Sequence, residues 1–322
     1  MSRKPVNPDP GDIDWGAPTL EVQEREALAE TMAGDANAET QGPADTKTTL
    51  EELEAGAEVD DRYNVRGHLG KGGMADVHLC QDRRIGRNVA IKTLRRDDDE
   101  AKDRFVREVR VQGQLEHPAV VPVYDLGMHG DGRPFFTMRR LRGSTLREIV
   151  RGLRQGDPSM VKEHPLRRLL SDFAAVCLAV DYAHEHGVVH RDLKPENIML
   201  GDFGEVYVLD WGIARVAGDD GRPPADFDVV LGGDSSVTQA GSVFGTPGYM
   251  SPEQVVGDPA GPASDVYSLG SILFELLTHT EVNTGTTLDE ILEQTRDGVD
   301  ARISVRFPDL DVAPELEAIC VG

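Results

Sequence analysis

The sequence predicts an α+β fold in two lobes, in which a small antiparallel β-sheet carrying one helix precedes a larger, mainly helical lobe. From Tyr63 onward, short strand-like stretches alternate with glycine-rich turns. Further along, apolar residues recur at helical spacing between Leu166 and Ala183. A chain of 322 residues with 39% hydrophobic side chains is long enough to bury the cores of two lobes.

Residues 1–60 differ in composition from the rest of the chain. They are rich in Pro, Gly, Ala, Asp and Glu, and they carry 15 acidic against 4 basic side chains. Such a segment cannot bury enough apolar surface to offset the entropy of ordering, so we predict a disordered acidic tail. A short acidic helix over residues 20–32 is the alternative interpretation. Deletion of the tail is expected to leave catalysis intact.

Composition also argues against several classes of protein. The net charge of −23 disfavours nucleic acid and anionic membranes as partners. No apolar run approaches the roughly 18 residues of a membrane span, and the first residues do not resemble a secretory signal. Cys80, Cys177 and Cys320 lack CxxC spacing, so neither a disulfide framework nor a zinc site is indicated. We therefore expect a cytoplasmic protein.

The small lobe is predicted to begin with a hairpin around a glycine-rich turn. In the stretch GHLGKGGMADV at 67–77, glycines let backbone N–H groups approach phosphates without obstruction by Cβ atoms. A dinucleotide-binding loop is the alternative, but it must open a helix, whereas residues 76–81 have a strand pattern. The run VAIK at 89–92 is the third strand, and residues 120–124 and 134–138 are the last two.

A helix over residues 103–115 is predicted after the third strand. It contains Glu108, and Glu116 follows it. The family resemblance given below implies that a glutamate of this helix pairs with Lys92, for which Glu116 is the alternative by residue type alone. Glu116 adjoins a His-Pro dipeptide where the helix must end, so Glu108 is preferred.

The large lobe is predicted to contain helices over residues 166–183 and 265–279. His184 and His186, at the end of the first of these helices, are expected to be structural, as helix caps or core partners. The stretch HRDLKPENIML at 190–200 comes next, and its polar groups are costly to bury without a chemical task.

Three side chains of this polar stretch suggest phosphoryl transfer. Asp192 can orient a substrate hydroxyl, and Lys194 can neutralise a phosphoryl group in transfer. Asn197 can offer a carbonyl oxygen to Mg²⁺.

Here the sequence resembles the eukaryotic-type (Hanks-type) serine/threonine protein kinases of bacteria. The resemblance runs from about residue 61 to the end, and its motifs stand in the family's order: the glycine-rich loop, VAIK at 89–92, HRDLKPEN at 190–197, DWG at 210–212, GTPGYMSPE at 245–253 and DVYSLG at 265–270. It implies the bilobal protein-kinase fold. The implied division is a tail over 1–60, a small ATP-binding lobe with the hinge over 61–141, and a large catalytic lobe over 142–322.

The resemblance implies ATP and Mg²⁺ as cofactors, with Mn²⁺ as an acceptable substitute. The implied catalytic residues are Asp192, Lys194, Lys92 and Glu108, and the metal ligands are Asn197 and Asp210. The implied ATP contacts are Leu69, Gly70, Lys71, Gly72, Gly73, Val77, Ala90, Lys92, Met138, Arg139, Leu141, Asn197 and Asp210. The implied structural residues are Trp211, Gly212, Glu253 and Asp265. Asp265 would hold the backbone of the catalytic loop, the family's name for the stretch HRDLKPEN at 190–197.

The sequence departs from the family pattern at several positions. Ala75 stands where the third glycine of the loop would be, and Arg139 stands after the gatekeeper where an acidic residue is frequent. Trp211 replaces the usual Phe, and Ser251 replaces the usual Ala. Backbone contacts at the hinge should survive the change at Arg139.

The resemblance also implies regulation of the activation segment, which follows DWG at 210–212 and closes with GTPGYMSPE at 245–253. Arg191, next to Asp192, marks in this family a kinase whose activation loop is pinned by a phosphate. Thr238 and Ser242 are the candidate phosphosites, whereas Thr246 is expected to lie beside the catalytic aspartate in a structural role. The alternative is that the serines and threonines of this loop only solvate it. Autophosphorylation in trans would require a transient kinase homodimer.

The function implied is ATP-dependent phosphorylation of Ser and Thr residues on proteins in bacterial signalling. Lys194, two residues after the catalytic aspartate, is typical of the Ser/Thr type. The alternative is a pseudokinase or inactive fragment that serves as an ATP-binding scaffold, but none of the polar roles is vacant. The long activation segment disfavours a small-molecule kinase.

The chain ends early by comparison with the family. Relatives continue through further helices, one of which carries an arginine that pairs with the glutamate at the position of Glu253. We therefore expect a fragment or a shortened kinase, with either a loosened large lobe or a substitute partner for Glu253.

Overall fold

The computed structural model describes residues 62–71, 75–95, 98–211, 215–216 and 245–321. The acidic segment 1–60 lies outside them, so its disorder stays a prediction. The strands are β1 (Tyr63–Lys71), β2 (Ala75–Asp82), β3 (Asn88–Leu94), β4 (Val123–Met128), β5 (Pro134–Arg139), β6 (Ser144–Thr145), β7 (Val188–Val189), β8 (Ile198–Leu200), β9 (Val206–Val208) and β10 (Arg215–Val216). The helices are α1 (Asp99–Gln114), α2 (Leu146–Arg154), α3 (Pro158–Glu163), α4 (Leu166–Glu185), α5 (Pro252–Val256), α6 (Pro262–Thr278), α7 (Leu288–Asp297), α8 (Ile303–Arg306) and α9 (Pro314–Val321), with a 3₁₀ turn at Pro195–Asn197. The predicted α+β fold is confirmed.

The small lobe is an antiparallel sheet of five strands in the order β1-β2-β3-β5-β4. Side chains alternate between its two faces. The face that packs on α1 forms a core of Ala75, Leu94, Ala101, Phe105, Val109 and Phe136. The opposite face buries Tyr63, Cys80, Val89, Ile91 and Phe135. Lys92 pairs with Phe136 across β3 and β5, so its side chain belongs to the face that meets α1.

The strand predicted at residues 120–124 is wrong in its bounds, because β4 starts only at Val123. The apolar residues before it are buried elsewhere: Val120 forms a bridge with Val208 of β9, whose amide donates to the carbonyl of Ala119 at 2.8 Å. Pro122 has no N–H to offer a sheet ladder, which separates this apolar run from β4. The run therefore contacts the large lobe.

The predicted long helices are confirmed, with earlier starts for two of them. The helix predicted at 166–183 is α4. The helix predicted from residue 103 begins one turn earlier as α1, because the Asp98 side chain accepts a hydrogen bond from the Ala101 amide at 2.8 Å. The helix predicted from Asp265 begins at Pro262 as α6, since a proline is well suited to the first turn of a helix.

Helix α2 was not predicted, although its start carries a recognisable signal. Thr145 and Glu148 form a capping box, in which the Glu148 amide donates to the Thr145 hydroxyl and the Thr145 amide donates to the Glu148 carboxylate. The helix then buries Leu146, Ile149 and Val150 in the core of the large lobe.

The core of the large lobe lies between α4 and α6 and reaches the small sheet β6-β8-β9. The polar stretch at 190–197 lies between β7, which pairs with β10, and β8 of this sheet. None of the helices that the structure describes is long and apolar enough to cross a membrane.

The three cysteines are free thiols in packed surroundings. Cys80 is buried, and burial raises the pKa of its thiol to about 11. Burial also raises the pKa of Cys177, and together with Glu317 it raises the pKa of Cys320 to about 11.

Gly143, at the entry to β6, is a position that only glycine fits. Its φ of +128° is unfavourable for other residues, and a Cβ atom would lie 2.0 Å from the carbonyl oxygen of Leu200. We expect Gly143→Ala to lower the free energy of unfolding by about 3 kcal/mol or more, because strain and a backbone clash add together. Urea denaturation measures the effect.

Gly204→Ala is the matched control. Gly204 also has a positive φ, +89°, but nothing lies within 4 Å of the added Cβ. Its cost should be limited to the strain of about 1–2 kcal/mol. Equal losses in the two variants would contradict the clash at Gly143.

Candidate active site

Lys92 joins the two lobes through two carboxylates. Its ammonium binds the Glu108 carboxylate of α1 within the small lobe, and it lies 3.2 Å from Oδ1 of Asp210 in the large lobe. The side chain of Glu108 is 8% exposed, whereas that of Asp210 is 54% exposed. Of the two glutamates considered from the sequence, Glu108 is therefore the one in contact with Lys92.

The ionisation of this group follows from burial and charge. Burial lowers the pKa of Lys92, but Glu108 and Asp210 raise it by more, so its pKa lies above the ordinary value. Burial raises the pKa of Glu108, an effect that Lys92 opposes only in part. Burial raises the pKa of Asp210, but Lys92, together with His190 and Lys194, lowers it by more, so it lies below its ordinary value.

Asp192 is held from two sides. Oδ2 accepts a hydrogen bond from the Lys194 ammonium at 2.6 Å, and Oδ1 accepts one from the Thr246 hydroxyl at 2.8 Å. The Lys194 ammonium also donates to the Thr246 hydroxyl at 2.6 Å. Asn197 donates to the backbone carbonyl of Asp192 at 2.9 Å. The carboxylate thus has a fixed orientation between the polar stretch and the segment that contains Thr246.

The backbone of the polar stretch rests on Asp265 of α6. The amides of His190 and Arg191 donate to the two oxygens of this buried carboxylate, each at 2.8 Å, and Nε2 of His184 lies 2.8 Å from Oδ2. Arg191 has a φ of +71°, which a long side chain rarely adopts. Gln254 donates to the Arg191 carbonyl at 2.8 Å, so the strained residue is fixed on both sides.

Residues 63–315 match the protein kinase domain family. The chain belongs to this family. Serine/threonine-protein kinase PknD of Protochlamydia amoebophila is 39% identical, over 71% of this chain and 24% of its own length. The kinases PknB of Mycolicibacterium smegmatis and of Mycobacterium tuberculosis are each 40% identical, over 68% and 70% of this chain and 33% and 34% of their own lengths. The chain therefore spans about a quarter to a third of the length of these curated relatives.

In this kinase domain, four of the expected ATP contacts share one face of the sheet. Val77 pairs with Lys92, and Ala90 pairs with Met138, so all four side chains lie on the face toward α1 and the large lobe. Gly70 pairs with Val77 at the end of β1. Leu69 and Lys71 flank Gly70 in the same strand and are exposed. Of the expected hinge residues, Arg139 ends β5 and Leu141 follows it. Gly72 and Gly73 lie outside the described residues.

The expected metal ligands provide the oxygen donors that Mg²⁺ prefers. The amide nitrogen of Asn197 is engaged by Asp192, which leaves its carbonyl oxygen for a cation, and the Asp210 carboxylate is partly exposed. Within the described part of the chain, no group of three or more His, Cys, Asp or Glu side chains is arranged to hold a metal. A Mg²⁺ ion that keeps waters and phosphate oxygens as its other ligands fits this donor set.

Of the remaining residues expected to have structural or regulatory roles, some lie within the described part of the chain and others lie outside it. Trp211 is buried and makes an edge contact with His190 at a ring distance of 4.7 Å. The Glu253 carboxylate accepts a hydrogen bond from the Ser264 hydroxyl at 2.5 Å. Burial raises its pKa, but this bond, together with hydrogen bonds from its own backbone amide and from Ser251, lowers the pKa by more, so it lies below the ordinary value. A hydroxyl of the same chain thus serves as a partner of Glu253. Gly212, Thr238 and Ser242 lie outside the described residues.

Two contacts of the site were not anticipated from the sequence. Gln254 supports Arg191, and Arg147 of α2 contacts the 3₁₀ turn through Glu196 at 2.7 Å. Both are long-range contacts. Of the two, only the Arg147 contact could have been suspected from the sequence. A cation at the second position of a helix interacts unfavourably with the helix dipole, which suggests that a tertiary contact compensates it.

The pairing of Lys92 with Glu108 should be measurable as stability. We expect Lys92→Met to lower the free energy of unfolding by about 3 kcal/mol, because Glu108 would remain buried without its countercharge. In Lys92→Met/Glu108→Gln the loss should be smaller, since no uncompensated charge remains. Urea denaturation of both variants gives the values.

Lys162→Met is the control for these variants. Lys162 is exposed on α3, so its replacement should change stability by no more than about 0.5 kcal/mol. If Lys92→Met were as stable as Lys162→Met, the ion pair would make no measurable contribution to the free energy of unfolding.

Proposed function

We propose that this chain is the catalytic domain of a serine/threonine protein kinase, which transfers the γ-phosphoryl group of ATP to Ser and Thr hydroxyls of proteins. The observation that carries the proposal is the position of Asp192 between Lys194 and Thr246 in a protein kinase domain. The contact of Lys92 with both Glu108 and Asp210 supports it, because a scaffold without catalysis would not need these groups assembled. Relatives named serine/threonine-protein kinases support the Ser/Thr class.

In the proposed mechanism, Asp192 accepts a hydrogen bond from the substrate hydroxyl and orients its oxygen toward the γ-phosphorus. Lys194 keeps the carboxylate in place and offers positive charge to the phosphoryl group during transfer. Lys92 would bind the α and β phosphates, with Glu108 fixing its direction. Mg²⁺, held by Asn197 and Asp210, would neutralise charge on the β and γ phosphates. Catalysis is then mainly positioning and charge stabilisation.

The family and the relatives also support proposals about the metal ion and the substrates. Mn²⁺ would substitute for Mg²⁺ because the donor set consists of oxygen atoms that suit both ions. The substrates would be proteins of a bacterial signalling pathway, as expected for relatives that are bacterial protein kinases. A cytoplasmic location remains our expectation from the sequence.

The enzyme activity can be tested by Mg²⁺-dependent transfer from labelled ATP to a generic Ser/Thr substrate. We expect Asp192→Asn to lower kcat by about a hundredfold or more, because the amide cannot accept the hydroxyl proton. Chelation of divalent ions should abolish transfer, and Mg²⁺ should restore it.

Asp181→Asn provides the control, since Asp181 is exposed on α4. It should retain the wild-type rate. Full activity of Asp192→Asn would contradict the role given to Asp192, whereas ATP binding without any transfer by the wild type would favour the scaffold instead.

We also propose that Arg191 responds to phosphorylation of the activation segment. Its guanidinium lies beside the loop between α5 and α6, where Nη2 is 3.4 Å from the Ala260 carbonyl. A guanidinium binds a phosphate dianion through paired, charge-assisted hydrogen bonds. Thr238 and Ser242 are the proposed phosphate carriers, modified in trans by a second copy of the kinase.

This regulatory proposal predicts phosphate on Thr238 after incubation with Mg-ATP. Mass spectrometry should detect it, and Thr238→Ala should have lower activity because Arg191 would lack its anionic partner. The modification rate should rise with enzyme concentration, as required for reaction between two copies. An unmodified Thr238 in a fully active enzyme would refute the proposal.

A further inference from the structure

Arg147 forms a polar cluster with four side chains from separate parts of the large lobe. Its guanidinium donates to Glu196 at 2.7 Å, to Glu275 at 2.7 Å and to the Tyr249 hydroxyl at 2.6 Å, and it lies 3.3 Å from Glu281. The Tyr249 hydroxyl donates in turn to Glu275 at 2.5 Å. One planar cation therefore joins α2, the 3₁₀ turn, the segment after Thr246 and the end of α6.

The local sequence does not favour an arginine at this position. Arg147 is the second residue of α2, where the positive end of the helix dipole disfavours a cation. The side chain is 27% exposed, so most of it is ordered at a cost in side-chain entropy. Tertiary contacts must offset both terms, and those contacts lie beside the catalytic loop.

Two paths, each made of a short chain segment and hydrogen bonds, lead from this cluster to Asp192. Glu196 stands in the 3₁₀ turn next to Asn197, which holds the backbone carbonyl of Asp192. Tyr249 closes a turn through its amide, which donates to the Thr246 carbonyl at 3.1 Å, and the Thr246 hydroxyl holds the Asp192 carboxylate. Arg147 thus binds both segments that fix the catalytic aspartate.

The charge balance of the cluster gives Arg147 a second effect. It is the countercharge that the contacts provide for Glu275, which is 3% exposed and also faces Glu196 and Glu281. Burial raises the pKa of Glu275, and Tyr249 and Arg147 oppose this effect only in part. Loss of the guanidinium would therefore destabilise the protein as well as release the two segments, and an experiment must separate the two effects.

We propose that Arg147 is a positioning residue for phosphoryl transfer, which sets the geometry of Asp192 by clamping Glu196 and Tyr249 with its planar fork of donors. This inference rests on the proposed kinase function. A lysine could supply the charge but not the fork, because an ammonium is a point charge without a planar array of N–H groups.

The test compares Arg147→Met, Arg147→Lys and Arg147→Met/Glu275→Gln in the labelled-ATP assay. We expect Arg147→Met to lower kcat by about ten- to a hundredfold, the size expected when catalytic groups shift slightly, with the KM for ATP within about twofold of wild type. Arg147→Lys should recover only a small part of kcat. The melting temperature of each variant is measured in parallel.

The double variant separates positioning from charge compensation. Glu275→Gln removes the uncompensated charge, so Arg147→Met/Glu275→Gln should regain thermal stability while kcat stays low. Recovery of both stability and kcat would overturn the proposal, because Arg147 would then serve only to neutralise Glu275. Unchanged kcat in Arg147→Met would overturn it as well.

Arg151→Ala is the matched control, since Arg151 is an exposed arginine one turn further along α2. It should keep the wild-type kcat. Wild-type enzyme and Asp192→Asn are assayed alongside. If the wild type transferred no phosphate, the proposed function would fail; if the wild type were active and Arg147→Met equally so, only the present inference would fail.

Discussion

The buried carboxylate of Asp265 is the interaction on which the geometry of the catalytic loop depends. A carboxylate without exposure to water is costly unless hydrogen bonds compensate it. Here the backbone amides of His190 and Arg191 provide that compensation, with His184 beside them. Asp265 also lies in the first turn of α6, where the helix dipole favours a negative charge. The arrangement maintains the left-handed backbone conformation of Arg191. That conformation sets the orientation of the next residue, Asp192.

The site as a whole is divided between lobes, so its geometry depends on how the lobes meet. Lys92 comes from a strand of the small sheet, and Asp210 follows the last strand of the large-lobe sheet. Their contact at 3.2 Å couples the two cores. Asp210 has a φ of +60°, a conformation that aspartate tolerates better than most residues. The carboxylate of this expected metal ligand is thus directed by local backbone conformation on one side and by an ion pair across the cleft on the other.

Local patterns predicted most strands of the small-lobe sheet and the long helices, whereas contacts between distant residues were not predictable. Helical periodicity predicted α4, and the polar run 190–197 indicated the residues that surround Asp192. Residues 120 and 121 were assigned to a strand over 120–124 because periodicity cannot tell which sheet buries an apolar run. Helix α2 could have been found from the capping box of Thr145. The cluster around Arg147 could not, because its members lie up to 134 positions apart in the chain.

The packing of the three thiols has a practical consequence for spectroscopy. Thiolate is the form that reacts with maleimides and similar reagents, and a pKa of about 11, as at Cys80 and Cys320, leaves very little thiolate at neutral pH. Cys177 is shifted in the same direction. A cysteine placed on the turn between β8 and β9, where Phe203 is 88% exposed, would carry an ordinary thiol and react far faster than the native three. The domain can therefore receive a fluorophore or spin label at one chosen site without prior removal of its own cysteines.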